Sequence, residues 1–311
     1  MGTARDPSIM IRRYTMESSF QLLCSNYREC SVAAKFCQKL AQQRGDLYSF
    51  AFFNVYGALS LLHQGVWREM RLSLATALAM TERNANRLSG PSRLMVAWLH
   101  AEALDFEGVT KRCAGALDQT LENPMTYLLG RLGRVLLAKA CLGLHDYPRA
   151  FALLDDVTNR IEVDDVIMES VFYPYYFHNL CEYWLAVGDL PRAREQATRL
   201  YNITAPPPER TYLALAHRFL AKIALAEGDL EEAKAQLSRA IAIVEQAELP
   251  LAAWRVYATA AHFHEGLGER AKAAEFQRRS GKVIQTLAAN FDQDDPLRSS
   301  LLTGFAAEIR R

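Results

Sequence analysis

Residues 211–250, TYLALAHRFLAKIALAEGDLEEAKAQLSRAIAIVEQAELP, contain the pattern that decides the fold. Apolar and small residues recur at helical spacing on both sides of Gly228-Asp229. Gly228 can take the positive φ that ends a helix, and Asp229 can accept hydrogen bonds from the free N–H groups that begin the next one. The stretch predicts a pair of antiparallel helices, and its apolar residues need neighbouring pairs of the same kind in order to be buried.

Similar turns recur along the whole chain. The sequence places them, in order, at Ser25, Gly65, Gly108, His145, Gly188, Gly228 and Gly268. The intervals lie between 37 and 43 residues, and a small or apolar residue follows five positions after each turn. A constant period of this length is typical of proteins built from repeated helix pairs.

This period predicts an all-α fold, an α-solenoid of about seven antiparallel helix pairs. We expect one repeat domain over residues 14–311, preceded by an N-terminal tail at residues 1–13. Asp295-Pro296 is a typical helix start, so the segment from Asp294 to Ile309 is predicted to be one more helix. A solenoid needs such a capping helix because its last repeat has an uncovered apolar side.

Composition excludes several classes of function. Lys and Arg number 36 and Asp and Glu 35, and there is no basic block, so direct nucleic-acid binding is not expected. The sequence has no apolar run long enough to suggest a membrane span, and its N-terminus lacks the apolar core of a signal peptide. The six cysteines show no paired spacing, which favours reduced thiols and a cytoplasmic protein.

The motifs that could carry catalysis have simpler explanations. Gly266–Ala271 fits GxGxxA, but a dinucleotide site needs a strand before it and helices flank it here. Asp164–Glu169 is similar to an aspartate-rich magnesium motif without the second carboxylate cluster that such sites need. His262, His264 and Glu265 are close in sequence, yet no third metal ligand is evident. We therefore expect no cofactor, no metal and no enzymatic activity.

The repeats resemble a known family. In the sixth copy the residues that carry the resemblance are Leu220, Ala221, Gly228, Asp229, Ala233, Leu237 and Ala240. This pattern resembles tetratricopeptide repeats (TPR), and it implies a right-handed superhelix. The longer period is similar to the C-terminal helical sensor regions of large bacterial signal-transduction ATPases and transcriptional activators. GxxxxGK[ST] is absent, so the resemblance does not extend to an ATPase.

The resemblance also implies a concave binding groove lined by the first helix of each pair. The positions that match the inward-facing residues of the family are Trp98, Glu102, Lys139, Tyr175, His178, Glu182, Arg218, Lys222, Arg255 and His262. Arg218 and Lys222 share a helix face and could hold a carboxylate or phosphate of a partner. Alternatively, Arg218 pairs with Glu182 on the neighbouring repeat. The aromatic segment 172–177 is either core or a ligand platform.

These observations predict a non-catalytic, TPR-type scaffold for protein–protein interaction in bacterial signal transduction or transcription regulation. Its partner would be a protein or peptide in the concave groove. The alternative is a sensor region that binds a small-molecule effector in that groove and belongs to a larger ATPase or transcription activator. An all-α enzyme is disfavoured because paired catalytic groups are absent from the sequence pattern.

Overall fold

The computed structural model describes residues 7–84, 89–114, 124–161, 172–206 and 208–309. These ranges contain 15 α-helices and no strand, which confirms the all-α prediction. The helices are α1 (Pro7–Leu23), α2 (Tyr27–Gln43), α3 (Leu47–Gln64), α4 (Trp67–Asn84), α5 (Ser89–Glu102), α6 (Phe106–Cys113), α7 (Pro124–Gly143), α8 (Tyr147–Ile161), α9 (Tyr173–Ala186), α10 (Leu190–Thr204), α11 (Arg210–Glu227), α12 (Leu230–Gln246), α13 (Pro250–Gly266), α14 (Arg270–Ala288) and α15 (Pro296–Ile309). None of these helices is both long and apolar enough to cross a membrane.

Seven turns that join an odd-numbered helix to the next even-numbered helix share one backbone conformation. Each has a single residue with positive φ, at Ser25, Gly65, Leu104, His145, Gly188, Gly228 and Gly268. The intervals between them are 39 to 43 residues. In four of the turns an aspartate follows, and its carboxylate accepts a hydrogen bond from the N–H three residues later. The left-handed residue is therefore common to all seven turns, and four of them add a capping aspartate.

The third turn corrects the sequence prediction. Gly108 lies inside the first turn of α6, whereas the turn itself is formed by Leu104, with a φ of 59°. The prediction failed because glycine is the usual left-handed residue, and leucine at this position gives no sequence signal. Gly108 has a different reason to be glycine, since a Cβ there would lie 2.1 Å from Oδ2 of the capping Asp105.

Each helix packs against the helices that precede and follow it in the chain, and the odd-numbered helices also pack against one another. Each odd-numbered helix from α1 to α11 contacts the next odd-numbered helix, and α13 also contacts α3. The odd-numbered helices α3 to α13 therefore enclose the interior of the molecule, and the last pairs lie against the first ones. Hydrogen bonds strengthen this closure, because Glu209 at the start of α11 accepts from Ser25 and Tyr27 in the first pair.

The two ends of the chain take part in the packing. Helix α1 begins at Pro7, so part of the segment that we predicted to be a tail is helical. Helix α15 packs against α14, and its Phe305 ring lies 6.0 Å from the ring of Trp254 in α13. A Cβ at Gly304 would lie 2.8 Å from Cβ of Leu104. Helix α15 thus bridges the last pair and the third pair.

Candidate functional site

The structure brings together nine of the ten predicted groove residues. They lie on the inner helices: Trp98 and Glu102 on α5, Lys139 on α7, Tyr175, His178 and Glu182 on α9, Arg218 and Lys222 on α11, and Arg255 on α13. We call the charged members, Glu102, Lys139, Glu182, Arg218, Lys222 and Arg255, the interior cluster. The tenth residue, His262, is exposed on α13 and forms no hydrogen bond, ion pair or ring contact with this group among the described residues. Most members are buried rather than spread along an open groove.

Two ion pairs hold the centre of the interior cluster together. Nη2 of Arg255 lies 3.0 Å from Oε2 of Glu102, and both side chains are almost completely buried. Lys139 pairs with Glu182, which also lies 3.4 Å from Nε2 of His178. Burial alone would raise the pKa of Glu102, but Arg255 and Lys139 outweigh this effect and keep it below its usual range. The pairs connect α5 to α13 and α7 to α9.

Arg218 does not form the predicted alternative pair with Glu182. Within the described residues no hydrogen bond or ion pair joins them, and Nε of Arg218 donates instead to Oγ1 of Thr259 at 2.9 Å and to the carbonyl of Arg255 at 3.2 Å. The buried Nη1 of Arg218 has no partner in the described part of the chain. Burial lowers the pKa of Arg218, and the negative charge of Glu182 offsets part of this effect. One guanidinium nitrogen therefore keeps an unused donor.

Lys222 lies one helical turn beyond Arg218, where solvent reaches its side chain. Surrounding protein and the charge of Arg218 nevertheless lower the pKa of Lys222 to about 8, while the carboxylates of Glu182 and Glu308 act in the opposite direction. No ion pair of Lys222 is found within the described residues. Partial enclosure beside a second cation explains the lowered pKa of a lysine that solvent can still reach.

The interior cluster has an excess of positive charge. Among the described residues its four cations face the carboxylates of Glu102 and Glu182, which the two ion pairs use, and one further carboxylate, Glu308. Glu308 near the end of α15 acts electrostatically on Arg218, Lys222 and Arg255. Since the cations outnumber the carboxylates, Arg218 and Lys222 form the part of the cluster that can accept an additional anion.

Aromatic side chains border the cluster on one side. The rings of Trp98 and Tyr175 are 4.3 Å apart, and Tyr175 stacks on His178 at 6.3 Å. The Trp98 indole N–H, the Tyr175 hydroxyl and Nδ1 of His178 are buried without a partner among the described residues. In the described part of the aromatic segment, Phe172, Tyr175 and Tyr176 are buried core residues, while Tyr173 and Phe177 are half-buried.

The other sequence motifs do not form a site in the described residues. Gly266 and Gly268 lie at the turn between α13 and α14, with helices on both sides. Nδ1 of His264 lies 2.5 Å from Glu269, and no group of three potential metal ligands occurs in the described ranges. The aspartate-rich segment Asp164–Glu169 lies outside the described residues.

The residues that join the first helix pair to the sixth are not evident from the sequence. The buried Glu209 carboxylate accepts from Ser25 Oγ at 2.9 Å, from Tyr27 Oη at 2.5 Å and from the Tyr212 N–H at 2.6 Å. No local pattern could have revealed these contacts, because Ser25 and Glu209 are 184 residues apart in sequence. The acidic residue at the start of a helix was recognisable only as a cap.

Comparison with known proteins finds no family model that matches this sequence and no curated protein that is detectably similar to it.

Proposed function

We propose that this chain is a non-catalytic binding domain that takes a small anionic ligand, a carboxylate or phosphate, at Arg218 and Lys222. The excess positive charge of the interior cluster carries this proposal. Arg218 offers a buried donor that no other described residue uses, and Lys222 beside it remains accessible to solvent. Charged donors of this kind form the strongest hydrogen bonds with anions.

The burial of the inner helix faces favours a small ligand over an extended peptide. The inner residues Trp98, Glu102, Tyr175 and Arg255 are each less than 10% exposed, and α13 contacts α3 across the interior. A small anion needs access only at Lys222. The resemblance to TPR-like right-handed solenoids and to bacterial sensor regions supports a role as the effector-binding part of a signalling or transcription regulator.

We expect inorganic phosphate or succinate to bind the protein, and Lys222→Gln to weaken binding about five- to tenfold because one charged donor is lost. Lys222→Arg should retain binding. Isothermal titration calorimetry measures both, with Lys234→Gln, an exposed lysine on α12, as the matched control. Failure of both anions to bind, or equal binding by Lys222→Gln, would contradict the proposal.

The same site should depend on pH in a defined direction. Because the pKa of Lys222 is lowered to about 8, its charge is present below that pH and is lost as the pH rises through it. Anion affinity of the wild type should therefore fall between about pH 7 and pH 9, whereas the affinity of Lys222→Arg should stay nearly constant. A similar decline in both proteins would assign the pH dependence to another group.

A second candidate function, the TPR-type protein scaffold, is favoured by an exposed apolar surface on the first helix pair. Met16 and Phe20 are one turn apart on α1, and Val32 and Phe36 are one turn apart on α2. They are between 43% and 76% exposed. The ring of Tyr14 lies 4.9 Å from that of Phe36, so α1 and α2 meet at this surface. Exposed apolar side chains grouped in this way are typical of protein-binding surfaces.

A scaffold with this surface should lose its protein partner when the surface is made polar. We expect a partner captured from a bacterial lysate by the wild type to be lost with Phe20→Asp/Val32→Asp and kept with Leu144→Asp, an exposed apolar residue elsewhere. Mass spectrometry of the captured proteins gives the result. Identical capture by all three proteins would contradict the scaffold function at this surface.

A further inference from the structure

A cavity lies apart from the interior cluster, between α4, α5, α6 and the start of α15. Its volume is about 330 Å³, within the range of small-molecule sites. Among the described residues its apolar wall is formed by Leu74, Leu78, Val96, Leu99 and Leu297. Helix α15 contributes Leu297 and the preceding Pro296, so the capping helix closes one side of this cleft.

The two carboxylates at the edge of the cleft already use both of their oxygens. Asp295 pairs with Arg71 through Oδ2, and its Oδ1 accepts from the Leu297 N–H at 2.9 Å. Asp105 accepts from the Gly108 N–H at 3.0 Å through Oδ1, and its Oδ2 lies 2.6 Å from Nδ1 of His100. Neither carboxylate therefore has an oxygen left without a partner to attract a cation.

Arg112, in contrast, has unused donors. Its Nε donates to Nε2 of His100 at 2.9 Å, which requires His100 to accept at Nε2 and to carry its proton on Nδ1, towards Asp105. Burial lowers the pKa of His100, in agreement with this neutral form. In the described part of the chain the two terminal nitrogens of Arg112 have no hydrogen-bond partner. The Asp105–His100 pair thus orients an exposed guanidinium whose terminal nitrogens form no hydrogen bond with another described residue.

We propose that this cleft binds an amphipathic monocarboxylate. The apolar body of the ligand lies against the leucines of α4 and α5, and its carboxylate accepts two hydrogen bonds from the terminal nitrogens of Arg112. Asp295 neutralises Arg71, and among the described residues Asp105 is the only other carboxylate at the edge, held by its cap bond and His100. The local donors therefore suit a singly charged planar head group better than a phosphate dianion.

The test uses octanoate as the probe and isothermal titration calorimetry of the whole chain. We expect saturable binding of octanoate, and at least tenfold weaker binding of octan-1-ol, which has the same apolar chain without the charge. Arg112→Gln should weaken octanoate binding at least tenfold, because it removes the charged donors. Arg270→Gln, which changes an exposed arginine on α14, is the matched control and should bind as the wild type does.

A second variant separates the cleft from general electrostatics. Ala75 lines the cleft from an exposed position on α4, so Ala75→Trp fills the cleft without changing the core. We expect this variant to melt at the wild-type temperature and to lose octanoate binding. No binding of octanoate to the wild type, or equal binding to the wild type, Arg112→Gln and Ala75→Trp, would overturn the proposal. Because Lys222→Gln leaves this cleft unchanged, it should keep the octanoate binding that Arg112→Gln and Ala75→Trp lose, which distinguishes this site from the interior cluster.

Discussion

Replacing Arg255 by methionine should lower the free energy of unfolding by about 3–5 kcal/mol, because it leaves the buried Glu102 carboxylate without its ion-pair partner. The two side chains are 5% and 7% exposed, so solvent cannot compensate for the loss. Arg255 also donates to the Leu251 carbonyl and stacks over Trp254, and methionine keeps only the apolar part of these contacts. Urea denaturation of the variant and the wild type measures the difference.

Two controls isolate the ion pair. Arg278→Met removes an exposed pair with Glu275 and should change stability by at most about 1 kcal/mol. The double variant Glu102→Met/Arg255→Met should be more stable than Arg255→Met, because both buried charges are gone. A double variant no more stable than Arg255→Met would show that the charge of Glu102 is not the cause of the loss.

The pH dependence of this effect has a definite sign. The folded-state pKa of Glu102 is lowered, so its contribution to stability is present above the unfolded pKa and is lost as the pH falls through the folded pKa. Without Arg255 the pKa of Glu102 should rise, since burial then dominates. We therefore expect the stability difference between the wild type and Arg255→Met to narrow under acidic conditions.

The sequence predicts those features that depend on local geometry. Gly228-Asp229 indicates both the positive φ and the cap that the structure has, and the residues five positions later, such as Ala233, are buried. The resemblance to tetratricopeptide repeats, aligned on these turns, also places Arg218 and Glu182 on the inner helices. Local rules fail at Leu104, where leucine adopts a left-handed conformation that its sequence does not indicate.

The features that depend on how distant repeats meet could not be predicted. Arg218 bonds Thr259 on the next inner helix rather than Glu182, and Arg255 reaches Glu102, 153 residues away. A small change of rotation between repeats would separate these atoms, and composition does not determine that rotation. The cleft beside Arg112 has the same origin, because α15 meets α4 and α5 only after the chain has closed on itself.

The closure between the first and sixth pairs should be sensitive to one carboxylate. Glu209→Ala is expected to destabilise the protein by about 2–4 kcal/mol, because it leaves the buried donors of Ser25, Tyr27 and Tyr212 without their acceptor and removes the cap of α11. Thermal and urea denaturation measure the loss. Amide hydrogen exchange should also show faster exchange near Ser25 if the contact between the pairs opens.

The matched control is Glu248→Ala, which removes the exposed ion pair with Arg28 and lies between α12 and α13. We expect a change near zero for it, because both side chains are largely in solvent.

The stability of Glu209→Gln should lie between that of the control and that of Glu209→Ala, since its amide oxygen can still accept from Tyr212 or Tyr27. Burial raises the pKa of Glu209 because it disfavours the charged carboxylate, and the neutral amide avoids that cost. Equal stability of Glu209→Ala and Glu248→Ala would contradict the structural importance of this closure, because only the buried carboxylate satisfies donors that water cannot reach.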